Sequence, residues 1–188
     1  SNYKEAKYIN SSENAIFKKS FNLFNLDLSL EQNRLPEDLI IVEGYMDAIS
    51  LYQNNFTSVV APLGTALTKF QIEKAWKYCK NPIIIFDGDD AGRKASLRAA
   101  MLSLSIIKPD YSLRFCVLPD NNDPDDFLST HGSIALQKLI SNAQTLSDYI
   151  WSNEYSKFDL SSPEQKAGFE NRIRLILPEI NDATVRAY

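Results

Sequence analysis

The sequence predicts an α/β domain, a parallel sheet with helices on both faces, and three observations predict it. Short continuous apolar runs rich in Ile and Val recur through the middle of the chain, each ending in Gly, Pro or Asp. A segment with helical spacing of apolar residues follows each run. Runs apolar at every position, not at alternate ones, are strands buried on both sides, and alternation with helices makes them parallel.

The elements follow in order. LIIVEG (Leu39 to Gly44) is the first strand and YMDAISLYQNN its helix. SVVAPLG (Ser58 to Gly64) is the second, followed by LTKFQIEKAWKYCK, a helix with Phe70, Ile72, Ala75, Trp76 and Cys79 near one face. PIIIFDGD is the third, leading into the alanine- and leucine-rich helix AGRKASLRAAMLSLSII. LRFCVLP (Leu113 to Pro119) is the fourth, before the loop DNNDPDD and a helix around IALQKLISNA. This doubly wound unit spans residues 38–145. Residues 1–37 lack the rhythm and read as the end of a separate N-terminal lobe. Residues 146–188 read as the start of a helical subdomain, with Ser162 as an N-cap and Pro163 in the first turn. The polar start and the abrupt end read as an excised piece of a longer chain.

Composition bounds the function. The 188 residues are 44% apolar and 11% aromatic, enough for a packed core. Net charge is −4, from 20 Lys and Arg against 24 Asp and Glu, which argues against a generally basic nucleic-acid binder. A local basic stripe, or an acidic site offset by metal, stays open. Two cysteines without a CxxC and one histidine leave no structural zinc site. The thiols read as reduced, and no apolar run is long enough for a bilayer, so the expectation is a cytoplasmic protein without a membrane.

Acidic residues gather after the strand ends. Glu43 ends the first strand and Asp47 lies one helical turn on; Asp87 and Asp89 end the third; Asp123 and Asp125 follow the fourth. Ligands of doubly wound sheets bind at the carboxyl ends of the strands, so all these side chains share one rim. Singly, each set has a plain reading: a Glu-Gly turn, a solvated DGD loop, a turn fixed by Pro124. Together they favour a metal site. Oxygen ligands alone suit Mg²⁺ or Mn²⁺, and several carboxylates around two or more such ions serve phosphoryl transfer. Thr65 is open between capping the next helix and touching a phosphate. Arg93 and Lys94 are open between a phosphate and Asp90. His131, Trp76 and Trp151 read as structural.

EGYMD, PLGTALT, FDGDDAGRKAS and LPDNNDPDD, in this order and spacing, resemble the Toprim domain of bacterial DnaG-type primases. AKYINSSENAIFKKSFNLFNL (Ala6 to Leu26) is similar to the segment that closes the N-terminal lobe of those enzymes, and SDYIW with SSPEQKA to their helical subdomain. The resemblance implies a Toprim-like sheet and divalent-metal-dependent RNA primer synthesis on a single-stranded DNA template from nucleoside triphosphates. It implies Glu43, Asp87 and Asp89 as catalytic metal ligands, with Asp47, Asp123 and Asp125 holding a further ion or the triphosphate. Lys7, Tyr8 and Lys19 match the positions that bind template, primer or nucleotide phosphates. A replicative helicase would be met through a domain outside this sequence. Asp90 stands where the family commonly has Arg, and Ala6, Ser12 and Ser20 replace Pro, Pro and Gly. Rival readings are another Toprim enzyme (nuclease or topoisomerase-like), a haloacid-dehalogenase-type phosphatase with Asp87 as nucleophile, or a Toprim piece that binds metal without turnover.

Overall fold

The computed structural model describes residues 18–64, 66–119 and 121–188. Among them six strands form one sheet: β1 (Leu23–Phe24), β2 (Ile40–Val42), β3 (Val59–Pro62), β4 (Ile83–Ile85), β5 (Arg114–Phe115) and β6 (Gln144–Thr145). Their order is β1-β3-β2-β4-β5-β6. The inner strands β3, β2, β4 and β5 are parallel, with Ile40 facing Val59 on one side and Ile83 on the other. The edges β1 and β6 run antiparallel to their neighbours. The expected parallel sheet is therefore the centre of a mixed one.

Helices cover both faces: α1 (Leu26–Gln32), α2 (Tyr45–Gln53), α3 (Lys69–Ala75), α4 (Asp90–Leu104), α5 (Pro124–Ser141), α6 (Leu146–Tyr155), α7 (Pro163–Ile176) and α8 (Ala183–Ala187). Alternate strand residues point to opposite faces. Ile41, Ile84 and Phe115 meet α3, α4 and α6 in one core, whereas Ile40, Val42, Ile83 and Ile85 meet α2 and α5 in the other. Both layers are close to fully buried. At roughly 1.5–3 kcal/mol per buried aliphatic side chain, they outweigh any local propensity.

Several expectations change. Pro124 opens α5, so Asp125 and Asp126 lie in its first turn and only the front of DNNDPDD is loop. Asp123 caps that helix by accepting from Asp126 N at 2.7 Å, and Pro at the first turn has no N–H to lose. The helix kinks at Gly132, whose φ is 79°. Thr68 caps α3: its Oγ1 accepts from Gln71 N at 3.2 Å, and Thr68 N donates to Gln71 Oε1 at 3.0 Å. Thr65 itself lies outside the described residues. Phe70 is 52% exposed and stacks on Phe21 at 4.2 Å, off the buried face of α3.

Residues 18–37 are attached to the sheet. Leu23 pairs with Pro62, Asn25 and Ser29 donate side-chain bonds to Val59 O, and buried Gln71 donates to Lys19 O and Asn22 O. After residue 145, Tyr149 of α6 stacks on Phe115 at 4.3 Å. Glu154 of α6 is buried and held by Arg172 and Lys157. Trp76 is in the core and donates to Ser112 O, while Trp151 packs edge-on to Phe169. His131 stacks on Phe127. Both cysteines are free and buried. No helix among the described residues is long and apolar enough to cross a membrane.

Candidate metal centre

The strand order decides where a site can form. Going from β2 to β3 the chain moves one way along the sheet, and from β3 to β4 it returns past β2 to the other side. The helices after β2 and β4 consequently pack on opposite faces, leaving a crevice between the carboxyl ends of those two strands. Glu43 follows β2 and Asp87 follows β4 by a single intervening residue, so both stand at this crevice. Asp89 caps α4, and its Oδ1 accepts from Gly92 N at 2.7 Å. Asp47 sits in the first turn of α2 and accepts from Gly44 N at 3.1 Å. Asp123 caps α5, and Asp125 accepts from Ser50 Oγ of α2. Carboxylates at helix N-termini are favoured by the unpaired N–H groups and the helix dipole, which is how so many tolerate one rim.

Their fields overlap. Asp87 is pushed up to about 7, first by burial and then by Glu43, Asp47, Asp123 and Asp89. Asp47 is pushed up to about 6, by burial and then chiefly by Asp123, against the bond from Gly44. Glu43 is raised by burial and Asp89, and pulled back by Arg98. The six carboxylates expected from the sequence are thus linked electrostatically through Glu43, Asp47 and Asp87, with Asp125 acting on Asp47. Among the described residues, no three acidic, His or Cys side chains are drawn together tightly enough to hold an ion between them.

Buried Asp87 Oδ1 has no hydrogen-bond partner among the described residues. A buried carboxylate oxygen without a donor is costly, and a cation is what such an atom accepts. The donor set is all oxygen, which fits a hard divalent ion and not zinc. The loop that carries it is packed backbone to backbone. A Cβ on Gly88 would lie 2.1 Å from Pro119 O, and one on Gly92 2.2 Å from Asp87 O. Arg93 donates to Gly88 O at 2.6 Å and to Asp90 at 3.1 Å. Asp90 therefore points to solvent beside a guanidinium and away from Asp87. Beneath the loop, Tyr149 and Ser96 lie beside Asp87 and Gly88, and Asn153 donates to the Tyr149 carbonyl at 3.0 Å.

Of the three expected nucleic-acid residues, Lys7 and Tyr8 lie outside the described residues. Lys19 sits in a 3-10 turn (Lys19–Phe21) whose backbone is docked on α3 through Gln71. Sequence reading passed over Ser50 and Arg98. Ser50 lies three residues past Asp47, on the face of α2 that meets α5, and a hydroxyl there gives no signal by itself.

Residues 40–128 match the Toprim-like family. The DNA primase of Rickettsia typhi (strain ATCC VR-144 / Wilmington) is 36% identical over 181 residues, covering 96% of this chain and 30% of that protein. The crystal structure of a DNA primase domain from Pseudomonas aeruginosa superposes with a TM-score of 0.91 at 32% identity, over 98% of this chain and 58% of that one. A DnaG primase catalytic domain bound to single-stranded DNA superposes with a TM-score of 0.87 at 33% identity, over 100% and 60% respectively. The chain spans about 30% of the length of the curated relatives it matches. By sequence along almost its whole length, and by fold, the chain belongs to the Toprim-containing catalytic cores of DnaG-type DNA primases.

Proposed function

We propose that this chain supplies the metal-holding part of a DNA primase: DNA-dependent synthesis of RNA primers from nucleoside triphosphates on a single-stranded DNA template. The observation that carries the reading is the unpartnered, buried Asp87 Oδ1 at the crevice between β2 and β4, surrounded by carboxylates. In the reaction a 3′-hydroxyl attacks the α-phosphate of the incoming nucleotide, one P–O bond forms, and pyrophosphate leaves. We assign Glu43, Asp87 and Asp89 to hold Mg²⁺ or Mn²⁺, and Asp47, Asp123 and Asp125 to a second ion or the triphosphate. Bound divalent cations lower the pKa of the attacking hydroxyl and neutralise phosphate charge. We assign to Glu43, lifted by burial and Asp89, the further role of taking the hydroxyl's proton. Helix caps keep Asp89 and Asp123 pointing to the rim.

Lys7, Tyr8 and Lys19 are assigned to the phosphates of template and primer, as local charge on an acidic chain. Division into a lobe end (1–37), a Toprim domain (38–145) and a helical start (146–188) belongs to the same reading. So do the cytoplasmic setting, the absence of zinc and the replicative helicase as a partner of the complete protein. The short span relative to full primases favours a second reading as well, in which this stretch binds metal and turns over only with the rest of the enzyme.

Two measurements test this. Mn²⁺ titration of the chain followed by electron paramagnetic resonance is expected to show affinity falling at least about tenfold in Asp87→Ala/Asp89→Ala. Primer synthesis by the complete protein is expected to vanish with the same pair. Unchanged Mn²⁺ affinity in the double variant would falsify the metal assignment.

A further inference from the structure

Beside Glu43, on the α4 side of the crevice, lies a hollow of about 390 Å³. Its floor is apolar, made by Pro62, Leu67 and Phe86, and Ala95 and Ala99 of α4 leave it open by being small. Arg98, one helical turn from Ala95, stands at its rim. We propose that this hollow is a nucleotide-phosphate subsite in which Arg98 binds the phosphate and the apolar floor takes the attached sugar or base. The inference rests on the primase reading and extends it to a residue that reading does not use.

Three features carry it. Arg98 is exposed, and among the described residues it makes no hydrogen bond or ion pair. Arg93, Arg114, Arg172 and Arg174 are each matched to a carboxylate. Next, Arg98 lines the same hollow as Glu43, one of the carboxylates of the acidic rim. A positive group on that flank offsets the carboxylates that a phosphate passes on its way to the metal ligands. Finally, the guanidinium is a planar fork that matches two phosphate oxygens at once, and it is unspent. A hollow of several hundred Å³ with an apolar floor and a few charged groups, here Arg98 and Glu43, is the usual make-up of a small-ligand site.

The phosphate comes either from a free nucleoside triphosphate or from a strand, and the two arms of the test separate them. Binding of ATP with Mg²⁺, and separately of a fluorescent single-stranded oligodeoxynucleotide, is measured on the chain and its variants at fixed salt. Arg98→Ala is expected to weaken one of the two ligands roughly tenfold, the loss of one charge-assisted contact. Arg98→Lys is expected to recover part of it. Lys166→Ala, an equal loss of charge on exposed α7, is expected to change neither ligand by more than about twofold. Wild-type affinity for both ligands in Arg98→Ala, an equal loss in Lys166→Ala, or no binding of either ligand by the wild-type chain would each overturn the inference. The Mn²⁺ titration is read independently. A failed metal assignment with an Arg98-dependent phosphate site would leave this inference standing, and the reverse outcome would remove it alone.

Discussion

At the scale of single residues, Asp87 and Asp90 explain each other. Both follow β4, yet Asp87 is half-buried and electrostatically crowded, and Asp90 is turned outward to Arg93. Replacing Asp90 by Arg, the family's usual residue, is therefore expected to leave the Mn²⁺ affinity of the chain within about threefold, since a solvated, paired charge acts weakly at a distance. Calorimetric titration checks it. Asp87 also sets a pH dependence. Its folded pKa of about 7 lies above the ordinary aspartate value, so the folded chain holds a proton that the unfolded chain releases. That contribution is complete below about pH 4 and is lost as pH rises to about 7, with Asp47 adding to the loss up to about 6. Thermal melts in chelator are expected to show Tm falling over this window, and Asp87→Asn to flatten the fall. Added Mg²⁺ is expected to raise Tm most at the alkaline end, where the ligands are ionised. The carboxylates were legible in the sequence because strand ends mark them. Arg98 was not, because its position depends on the rotation of α4 about its own axis.

At the scale of elements, the turn from β4 into α4 is the tightest part of the site. Gly88 and Gly92 leave no room for a methyl group against neighbouring backbone, and backbone cannot rotate away as a side chain does. Gly92→Ala is expected to cost about 2–3 kcal/mol or more in urea unfolding, and to weaken Mn²⁺ binding by displacing Asp87 and Asp89. Thr68→Ala, by contrast, removes an ordinary cap and is expected to cost about 1 kcal/mol with metal affinity unchanged. Helix and strand order were readable here from apolar runs, but their starts were less so. Thr65 and Thr68 both precede α3, and only Thr68 has Gln71 three residues on to complete the reciprocal cap. Asp123 reads as a turn residue until Pro124 is seen to open a helix. Strands β1 and β6 pair over two residues each, too short for any periodicity to register.

At the scale of the whole molecule, α6 and α7, the helices that follow the sheet, are tied to each other by one buried charge. Glu154 is 1% exposed and keeps its carboxyl below the usual range, chiefly through Arg172 and also through Lys157, against the opposing effect of burial. Arg172→Ala leaves that carboxylate buried with Lys157 alone, and a loss of about 3 kcal/mol is expected in denaturant melts at pH 7. Because the native pKa is depressed, the loss should shrink as pH falls through the carboxylate range and Glu154 is protonated in both states. The short edges of the sheet have a different consequence. Strand β3 is fully buried along VVAP and lies next to last in the sheet; among the described residues β1, with the side chains of Asn25 and Ser29, covers its outer hydrogen-bonding side. Two paired residues are a poor template for another chain, whereas an uncovered β3 offers an apolar, uncharged edge along Val59 to Ala61. Deletion of residues 1–25 is therefore expected to turn a dispersed protein into one that self-associates through that edge. Light scattering that grows with concentration would report it, and a charged residue at Val59 or Ala61 would not be needed in the intact chain because β1 already acts as the gatekeeper.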